Sequence, residues 1–326
     1  MDEIKKFTIG ILTSGGDAPG MNAAIRAVVR TALTNNMNAL GVVGGYEGLV
    51  NGKFRPLGAR DVGGILQRGG TILQTSRSKS FMEPAGQREA MRNMNEAGMD
   101  ALIVIGGEGS LRGAHLLSQK GVQVVGIPGS IDNDVWGTNI CIGTDTAMNT
   151  IMEAVDKLRD TASSHQRGFL IETMGRNSGY LAVMAGIVCG AEITLIPEVP
   201  VTVQEVADVI EDAYRRGKTH AIIINAEGSS IRTIELATAI DALDVGFKTR
   251  MTILGHIQRG GSPTAYDRLL ASRMGVKAVE ALMEGTHGVM TGIRGSGVKF
   301  VPLEEVINNK RQVNMEYYQM ARVLAR

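Results

Sequence analysis

The sequence predicts an α/β fold of two doubly wound, three-layer domains with mainly parallel sheets. Three observations carry this expectation. Short β-rich apolar runs alternate with helical patterns along the chain, which implies parallel strands with helices on both faces. A length of 326 residues suggests about two domains. The 42 glycines cluster at a few strand ends, where ligands bind in sheets of this kind.

In chain order, Phe7–Thr13 reads as a strand, Met21–Leu33 as a helix and Leu40–Gly44 as a strand. Ala101–Ile105 is a strand, followed by a helix from about Leu111, and Val122–Ile127 is the next strand. Further strands are expected at Phe169–Thr173, Ile193–Ile196, Ala221–Asn225 and Met251–Leu254. Helices are expected at Thr144–Arg159, Gly179–Cys189, Thr202–Gly217, Ile231–Leu243 and Tyr266–Glu284.

The bulk numbers exclude several function classes. Net charge is +1, so a general polyanion field is absent, and nucleic-acid or membrane-surface binding is disfavoured. Cys141 and Cys189 match neither a metal spacing nor a disulfide framework, which fits a reduced compartment and two buried structural thiols. The start, MDEIKKFTIGIL, enters a strand without the order of a signal peptide. No apolar run approaches the ~20 residues of a membrane span. A cytoplasmic protein is expected. The five histidines form no zinc pattern, no GxSxG elbow is present, and Trp136 reads as a packing residue.

The strand-end loops carry the chemistry. TSGGDAPGMN (Thr13–Asn22) lacks the Gly-Lys-Ser/Thr of a Walker A loop. It reads equally as a tight turn with Asp17 as a cap or as a phosphate cradle. GGEGSLRGA (Gly106–Ala114) sets three glycines, Glu108 and Ser110 at a helix start. GSIDND follows one strand–helix–strand step later, so Glu108, Asp132 and Asp134 are expected to converge at one sheet edge. Three acids beside a glycine cradle suit a Mg²⁺–nucleotide and a proton acceptor, although Asp132 alone would read as an Asx-turn. ETMGRNSGY places Arg176 beside a glycine at a helix start, SSHQRG forms a loop with His165 and Arg167, and GHIQRGGSP offers His256 and Arg259 as a phosphate site. QRGG occurs at Gln67–Gly70 and again at Gln258–Gly261, by chance or through shared loop chemistry.

Together TSGGDAPGMNAAIR, GGEGS, GSIDND, RDTASSHQRG, MGR and GHIQRGGSP, in this order and nearly end to end, resemble bacterial ATP-dependent 6-phosphofructokinases. The resemblance implies a homotetramer of two-domain subunits. It implies phosphoryl transfer from Mg·ATP to the 1-hydroxyl of fructose 6-phosphate. The ATP-binding domain would comprise residues 1–143 with 258–308, and the sugar-phosphate domain residues 144–257 with 309–326. Asp132 would be the base, and Ser130 and Ile131 would line the substrate. Gly16, Tyr46, Arg77 and Ser78 would surround ATP, with Gly107, Glu108, Gly109 and Ser110. Glu108 would serve Mg²⁺, and Asp134 would support metal and loop. Arg77 and Arg176 would stabilise the transferring phosphoryl. Met174, Gly175, Glu227, His256 and Arg259 would hold the sugar phosphate, with Arg167 and Arg250 reaching its 6-phosphate from a neighbouring subunit. Arg26, Arg30, Arg159, Glu192, Arg216 and Lys218 match an effector site for ADP or phosphoenolpyruvate.

The sequence departs from the family pattern at several positions. Glu108 stands where Asp is usual, one methylene or ~1.5 Å longer. Ser130 replaces a usual Thr, Ser78 stands where an aromatic is frequent, Gly58–Gly64 differs most, with the family's charged effector contacts shifted or missing, and Thr219 replaces a basic residue. Pyrophosphate-using relatives carry Asp at 109 and Lys at 129; both are glycine here, which favours ATP. A pyrophosphate-dependent enzyme and a non-catalytic sugar-phosphate sensor of the same fold are the alternative readings, the second opposed by the presence of Asp132.

Overall fold

A computed structural model describes residues 5–325; the reading of the first four residues lies outside them. In chain order the elements are β1 (Thr8–Ser14), α1 (Met21–Thr34), β2 (Asn38–Val42), α2 (Gly45–Val50), β3 (Phe54–Pro56), α3 (Pro84–Glu96), β4 (Ala101–Gly106), α4 (Glu108–Ser118) and β5 (Gln123–Pro128). They continue with α5 (Thr144–His165), β6 (Arg167–Thr173), α6 (Tyr180–Val188), β7 (Ile193–Leu195), α7 (Val203–Arg215), β8 (Ala221–Ala226), α8 (Thr233–Leu243) and β9 (Lys248–Ile253). The last are α9 (Ala265–Met283), β10 (Val289–Arg294), β11 (Gly297–Pro302), α10 (Leu303–Asn308) and α11 (Met315–Leu324). Two 3-10 turns lie at Ser80–Met82 and Gly255–Gln258.

Internal contacts divide the chain into two units, Met1–Asp145 with Arg259–Arg311, and Thr146–Gln258 with Gln312–Arg326. The first holds a seven-stranded sheet ordered β11-β10-β5-β4-β1-β2-β3, parallel except for its two edge strands. The chain leaves β1 toward β2 on one side and later adds β4 and β5 on the other, so the order reverses between β1 and β4. The crossovers β1–α1–β2 and β4–α4–β5 run in opposite directions across the sheet, so right-handed connections put α1 and α4 on opposite faces. Accordingly α1 packs on α9 along one face. On the other face Tyr46, Leu49, Met94, Leu111, Leu117 and Val306 join one apolar cluster drawn from α2, α3, α4 and α10. The all-buried strands β1 and β4 read as continuous apolar runs because both faces are covered.

The second unit holds a four-stranded parallel sheet ordered β7-β8-β6-β9. Val206, Ile210, Leu236 and Ile240 of α7 and α8 bury against Leu170, Ile223 and Phe247, while α6 and α11 pack together and against β7. The helix α7 begins with a full capping box, Thr202 and Glu205 each bonding the other's backbone amide, which satisfies two amides that a helix start leaves unpaired.

Two expectations change here. The stretch expected as a loop at Ser163–Gly168 is mostly helix: α5 runs through His165, and the whole turn is Gln166 at φ 51 before β6 starts at Arg167. The helix α4 starts at Glu108 rather than near Leu111: the extended Gly107 caps it, and Glu108 puts a negative charge in its first turn, where the helix dipole favours it. The two QRGG stretches meet. A Cβ on Gly69 would overlap the carbonyl oxygen of Gly261, and Ser262 Oγ donates to Gln67 O at 2.8 Å. Both cysteines are buried, with burial pushing the Cys141 thiol up to about 12 and that of Cys189 up to about 11.

Two stability changes follow. Gly69→Ala forces the paired QRGG loops apart and lowers stability by about 1–3 kcal/mol, the usual range for overpacking, measured by denaturant unfolding. Thr173 is fully buried and its hydroxyl has no hydrogen-bond partner among the described residues. Thr173→Val keeps the shape and removes the desolvated hydroxyl, so it raises stability by about 1 kcal/mol, read as an upward shift of the melting temperature.

Candidate active site

In the first unit the register pairs Ser14 with Gly106 and Gly106 with Pro128, so β1, β4 and β5 end level. Three loops therefore leave one sheet edge at the point where the strand order reverses, the place where ligands sit in open α/β sheets.

After β1, Gly15 turns at φ 83. A Cβ on Gly16 would come within 2.5 Å of Arg259 Nη1, and that guanidinium donates to Asp17 O at 3.2 Å. Gly16 is thus the floor on which Arg259 lies. The cap of α1 is Gly20, with no side-chain bond, so Asp17 does not cap the helix.

After β4, Gly107 is extended and α4 begins at once. Ser110 is 4 % exposed and its Oγ fills the space beside Gly15 and Gly106, where a Cβ at either position would crowd it. Gly109 is exposed and a Cβ there would meet nothing within 4 Å, so open space lies above the first helical turn. Tyr46 is buried, stacked on Phe81 at 4.1 Å between ring centroids, and donates from its hydroxyl to Ser110 O at 2.7 Å. Burial pushes its phenol well above the usual range. Its placement is that of a strut beneath α4.

After β5, Gly129 N donates to Gly106 O and Ser130 N to Ile142 O. Asp132 is 3 % exposed and Ile131 wholly buried. The Ser130 hydroxyl is the hub of a small turn: it accepts from Asp132 N at 3.3 Å and donates to Asp134 Oδ1 at 3.0 Å. Asn133 between the two acids sits at φ 51, a left-handed conformation that asparagine tolerates better than most residues. Trp136 packs partly buried against the core beneath the Arg294 guanidinium.

Among the described residues no group of three His, Cys, Asp or Glu side chains is arranged to hold a metal ion. The loops adjoin, but the expected convergence of Glu108, Asp132 and Asp134 into one acidic cluster is not met. Glu108 reaches forward along its own helix to Arg112, at 2.7 Å, the i,i+4 partner that a helix surface presents, while Asp134 turns to Ser130.

Arg77 is exposed on the long segment between β3 and α3, a region that sequence periodicity leaves blank. Hydrogen bonds to backbone carbonyls take the place of secondary structure there. Asn22 Nδ2 donates to Arg68 O and Gly69 O, and its Oδ1 accepts from Ile72 N. Thr75 Oγ1 donates to Gly15 O, and Ser76 Oγ to Gly44 O. Ser78 and Ser80 both donate to Glu47 Oε2, bonds that, with one from Asn51, hold the Glu47 carboxyl below its ordinary range. The serine at 78 therefore serves as an anchor for the segment. Asn22 and Glu47 were not singled out from the sequence; only their contacts reveal them.

In the second unit the loops after β6 and β8 meet. Glu227 Oε1 accepts from Gly175 N at 3.2 Å and Arg176 N at 2.7 Å, with Gly175 at φ 144 and Arg176 at φ 52. The buried Gln258 accepts from Met174 N at 3.1 Å and donates to Gly255 O. Arg176 is exposed and stands ahead of the helix, since α6 starts only at Tyr180. His256 is exposed on its 3-10 turn. Arg167 opens β6, and Arg250 lies on the neighbouring edge strand β9, paired with Phe169.

Of the residues matched to an effector site, Arg26 and Arg30 share one helix, α1. In the second unit Lys218 pairs with Glu192 at 3.0 Å. Arg159 donates to Cys189 O and approaches His220 Nε2 at 3.4 Å, where desolvation lowers the imidazole's affinity for a proton. Arg216 pairs with Asp212 at 2.9 Å. Glu192 and Arg216 line a cavity of ≈ 740 Å³ that also takes in Tyr318 and Arg322 of α11, a helix not foreseen from the sequence. Gly58 N donates to Asp61 Oδ2 within the divergent 58–64 segment.

No helix among the described residues is long and apolar enough to cross a membrane. The phosphofructokinase family model matches residues 8–282. An ATP-dependent 6-phosphofructokinase of Thermotoga neapolitana is 50% identical, over 97% of this chain and 99% of its own length. ATP-dependent 6-phosphofructokinase 1 of Thermus thermophilus is 48% identical over the same shares. Among solved structures, the T-state phosphofructokinase of Pichia pastoris superposes with a TM-score of 0.90 at 38% identity, covering 94% of this chain. This chain spans only 36% of that longer one. With level strand ends, glycine-lined helix start and buried aspartate in place, these likenesses lead to one conclusion: the chain belongs to the phosphofructokinase family.

Proposed function

We propose that this chain is an ATP-dependent 6-phosphofructokinase, which transfers the γ-phosphoryl group of ATP to the 1-hydroxyl of fructose 6-phosphate. The products are fructose 1,6-bisphosphate and ADP. One observation carries the reading beyond family membership. Asp132 is a nearly buried carboxylate, fixed in the loop next to the open helix start of α4.

In this reading the Asp132 carboxylate takes the proton of the sugar hydroxyl as that oxygen bonds phosphorus and the bond to the β-phosphate breaks. Little covalent chemistry falls to the protein, so positioning and charge neutralisation dominate. The amides about Gly107, Glu108 and Gly109 suit phosphate oxygens at a helix N-terminus, and the open space above Gly109 leaves room for a nucleotide's α-phosphate. Gly16, Ser78, Ser110 and Tyr46 shape and support that site. Arg77 and Arg176 neutralise the transferring group. Ser130, Ile131, Met174, Gly175, Glu227, His256 and Arg259 bind the sugar phosphate.

Mg²⁺ keeps several waters and takes one or two carboxylates together with phosphate oxygens. A lone half-exposed carboxylate such as Glu108 fits that donor chemistry, and no cage of acids is required. Bound there, the ion would supply charge neutralisation on the phosphates, with Asp134 in support through Ser130.

The assembly in this reading is a homotetramer in which Arg167 and Arg250 reach the 6-phosphate of a neighbouring subunit's substrate. The edge strand β9, with Met251 and Ile253 exposed, supports a contact with a second copy. ADP or phosphoenolpyruvate as effector would call on Arg26, Arg30, Arg159, Glu192, Arg216 and Lys218.

Two experiments test the site. Asp132→Ser lowers kcat by more than ~100-fold and leaves the dissociation constant of fructose 6-phosphate, measured by calorimetry, nearly unchanged; a near-normal kcat would remove Asp132 as the base. Arg112→Gln frees the Glu108 carboxylate and lowers the Mg²⁺ concentration needed for half-maximal rate. An unchanged Mg²⁺ dependence leaves Glu108 as no more than a favourable charge at a helix start.

A further inference from the structure

The loop that carries Asp132 is held in shape by a side chain remote in sequence. Asn133, 1 % exposed and at φ 51, accepts through Oδ1 from Cys141 N at 2.9 Å and from Arg311 Nη1 at 3.0 Å. The same guanidinium donates to Thr138 O at 2.8 Å and Asn139 O at 2.6 Å. One arginine thus ties three acceptors across residues 133–139, and with them both ends of the excursion the chain makes before α5. The fork of a guanidinium suits this task because its donors are fixed in one plane. The charge of Arg311 is also felt in the loop. At Cys141 burial is the main influence on the thiol, followed by the opposing charges of Asp134 and Arg311, with Asp132 adding to the first.

The left-handed backbone at Asn133 sets the directions in which Asp132 and Asp134 leave the chain. Asparagine reaches this conformation at some cost, so it persists only where its surroundings fix it. Here the amide of Cys141 and the guanidinium of Arg311 do so. Arg311 is also the last residue of the first unit, which anchors the chain before it continues to α11.

We infer that Arg311 is a positioning residue for phosphoryl transfer: by clamping Asn133, Thr138 and Asn139 it holds the Asp132 carboxylate where it meets the sugar hydroxyl. The inference rests on the reading of Asp132 as the base. Arg311 is half-exposed, so water can replace its donors and the fold survives its loss, while the loop loosens. A displacement near 1 Å at a reacting group is enough to cost about 100-fold in rate.

The test is a set of full-length variants: Arg311→Ala, Arg311→Lys, Asp132→Ser and the double variant Arg311→Ala/Asp132→Ser. Circular dichroism checks folding, and kcat and KM are measured for ATP and fructose 6-phosphate. Arg311→Ala lowers kcat by ~10-fold or more and leaves both KM values within about 2-fold. Arg311→Lys keeps the charge but loses the fork, so it recovers only part of the rate. In the Asp132→Ser background Arg311→Ala costs less than about 2-fold further, since no base remains to be positioned. Equal losses in both backgrounds would show a merely structural residue and overturn the inference, as would a normal kcat in Arg311→Ala. Should Arg311→Ala not fold, Arg311→Lys carries the same comparison in both backgrounds. A near-normal kcat in Asp132→Ser alone would instead overturn the reading of the base, a failure distinct from that of Arg311.

Discussion

Level termination of β1, β4 and β5 is the constraint on which the first unit's site depends. Parallel pairing fixes Ser14, Gly106 and Pro128 in neighbouring register, and each strand is buried on both faces, which leaves no freedom to slip. A one-residue shift would turn buried side chains toward the wrong helical layer and separate the three loops. The backbone bond from Gly129 to Gly106 extends this alignment past the strand ends and into the loops themselves. The glycine-lined start of α4 and the turn around Asp132 are neighbours because the sheet makes them so.

Beyond the strands, polar side chains, some of them buried, do part of what backbone ladders do elsewhere. Asn22 stitches the segment leading to Arg77, Glu47 gathers Ser78 and Ser80, Ser130 ties Asp134, Asn133 closes onto Cys141, and Glu227 and Gln258 fix the turn at Met174–Arg176. Buried backbone groups must find partners: Asn22, Asn133, Glu227 and Gln258 accept from backbone amides, while Glu47 and Ser130 tie one side chain to another. Glycine has a related role where side chains would collide: Gly16 admits Arg259, and Gly69 admits the second QRGG stretch.

Much of the fold was legible because each central strand is a short apolar run followed by a helical pattern. The expected strand at Phe7–Thr13 and helix at Met21–Leu33 differ from β1 and α1 by one residue at each boundary that moved. What stayed illegible lacks that pattern. The helix α3 has few apolar residues and buries only Gln87, Ala90 and Met94; β3 is three residues long and mostly exposed; β10 and β11 form a hairpin late in the chain. Of the site, Asp132 and Arg259 could be named from motifs, because glycine and charge at strand ends leave a local signature, whereas Arg77 could be named only through the family resemblance. Glu108 was located correctly at a helix start, but its turn toward Arg112 depends on rotamer and helix phase. Arg311, in a polar stretch with no motif, gave no signal at all; its role lies wholly in contacts with residues far away in the chain.

In the proposed function these loops transfer a phosphoryl group from ATP to fructose 6-phosphate. The most direct measurement is a coupled assay of the purified wild-type chain with fructose 6-phosphate and Mg²⁺, offered ATP and pyrophosphate in turn, with the product identified by phosphorus NMR. The expected result is fructose 1,6-bisphosphate and ADP with ATP, and negligible turnover with pyrophosphate. Turnover with pyrophosphate alone, or none with either donor, would contradict it.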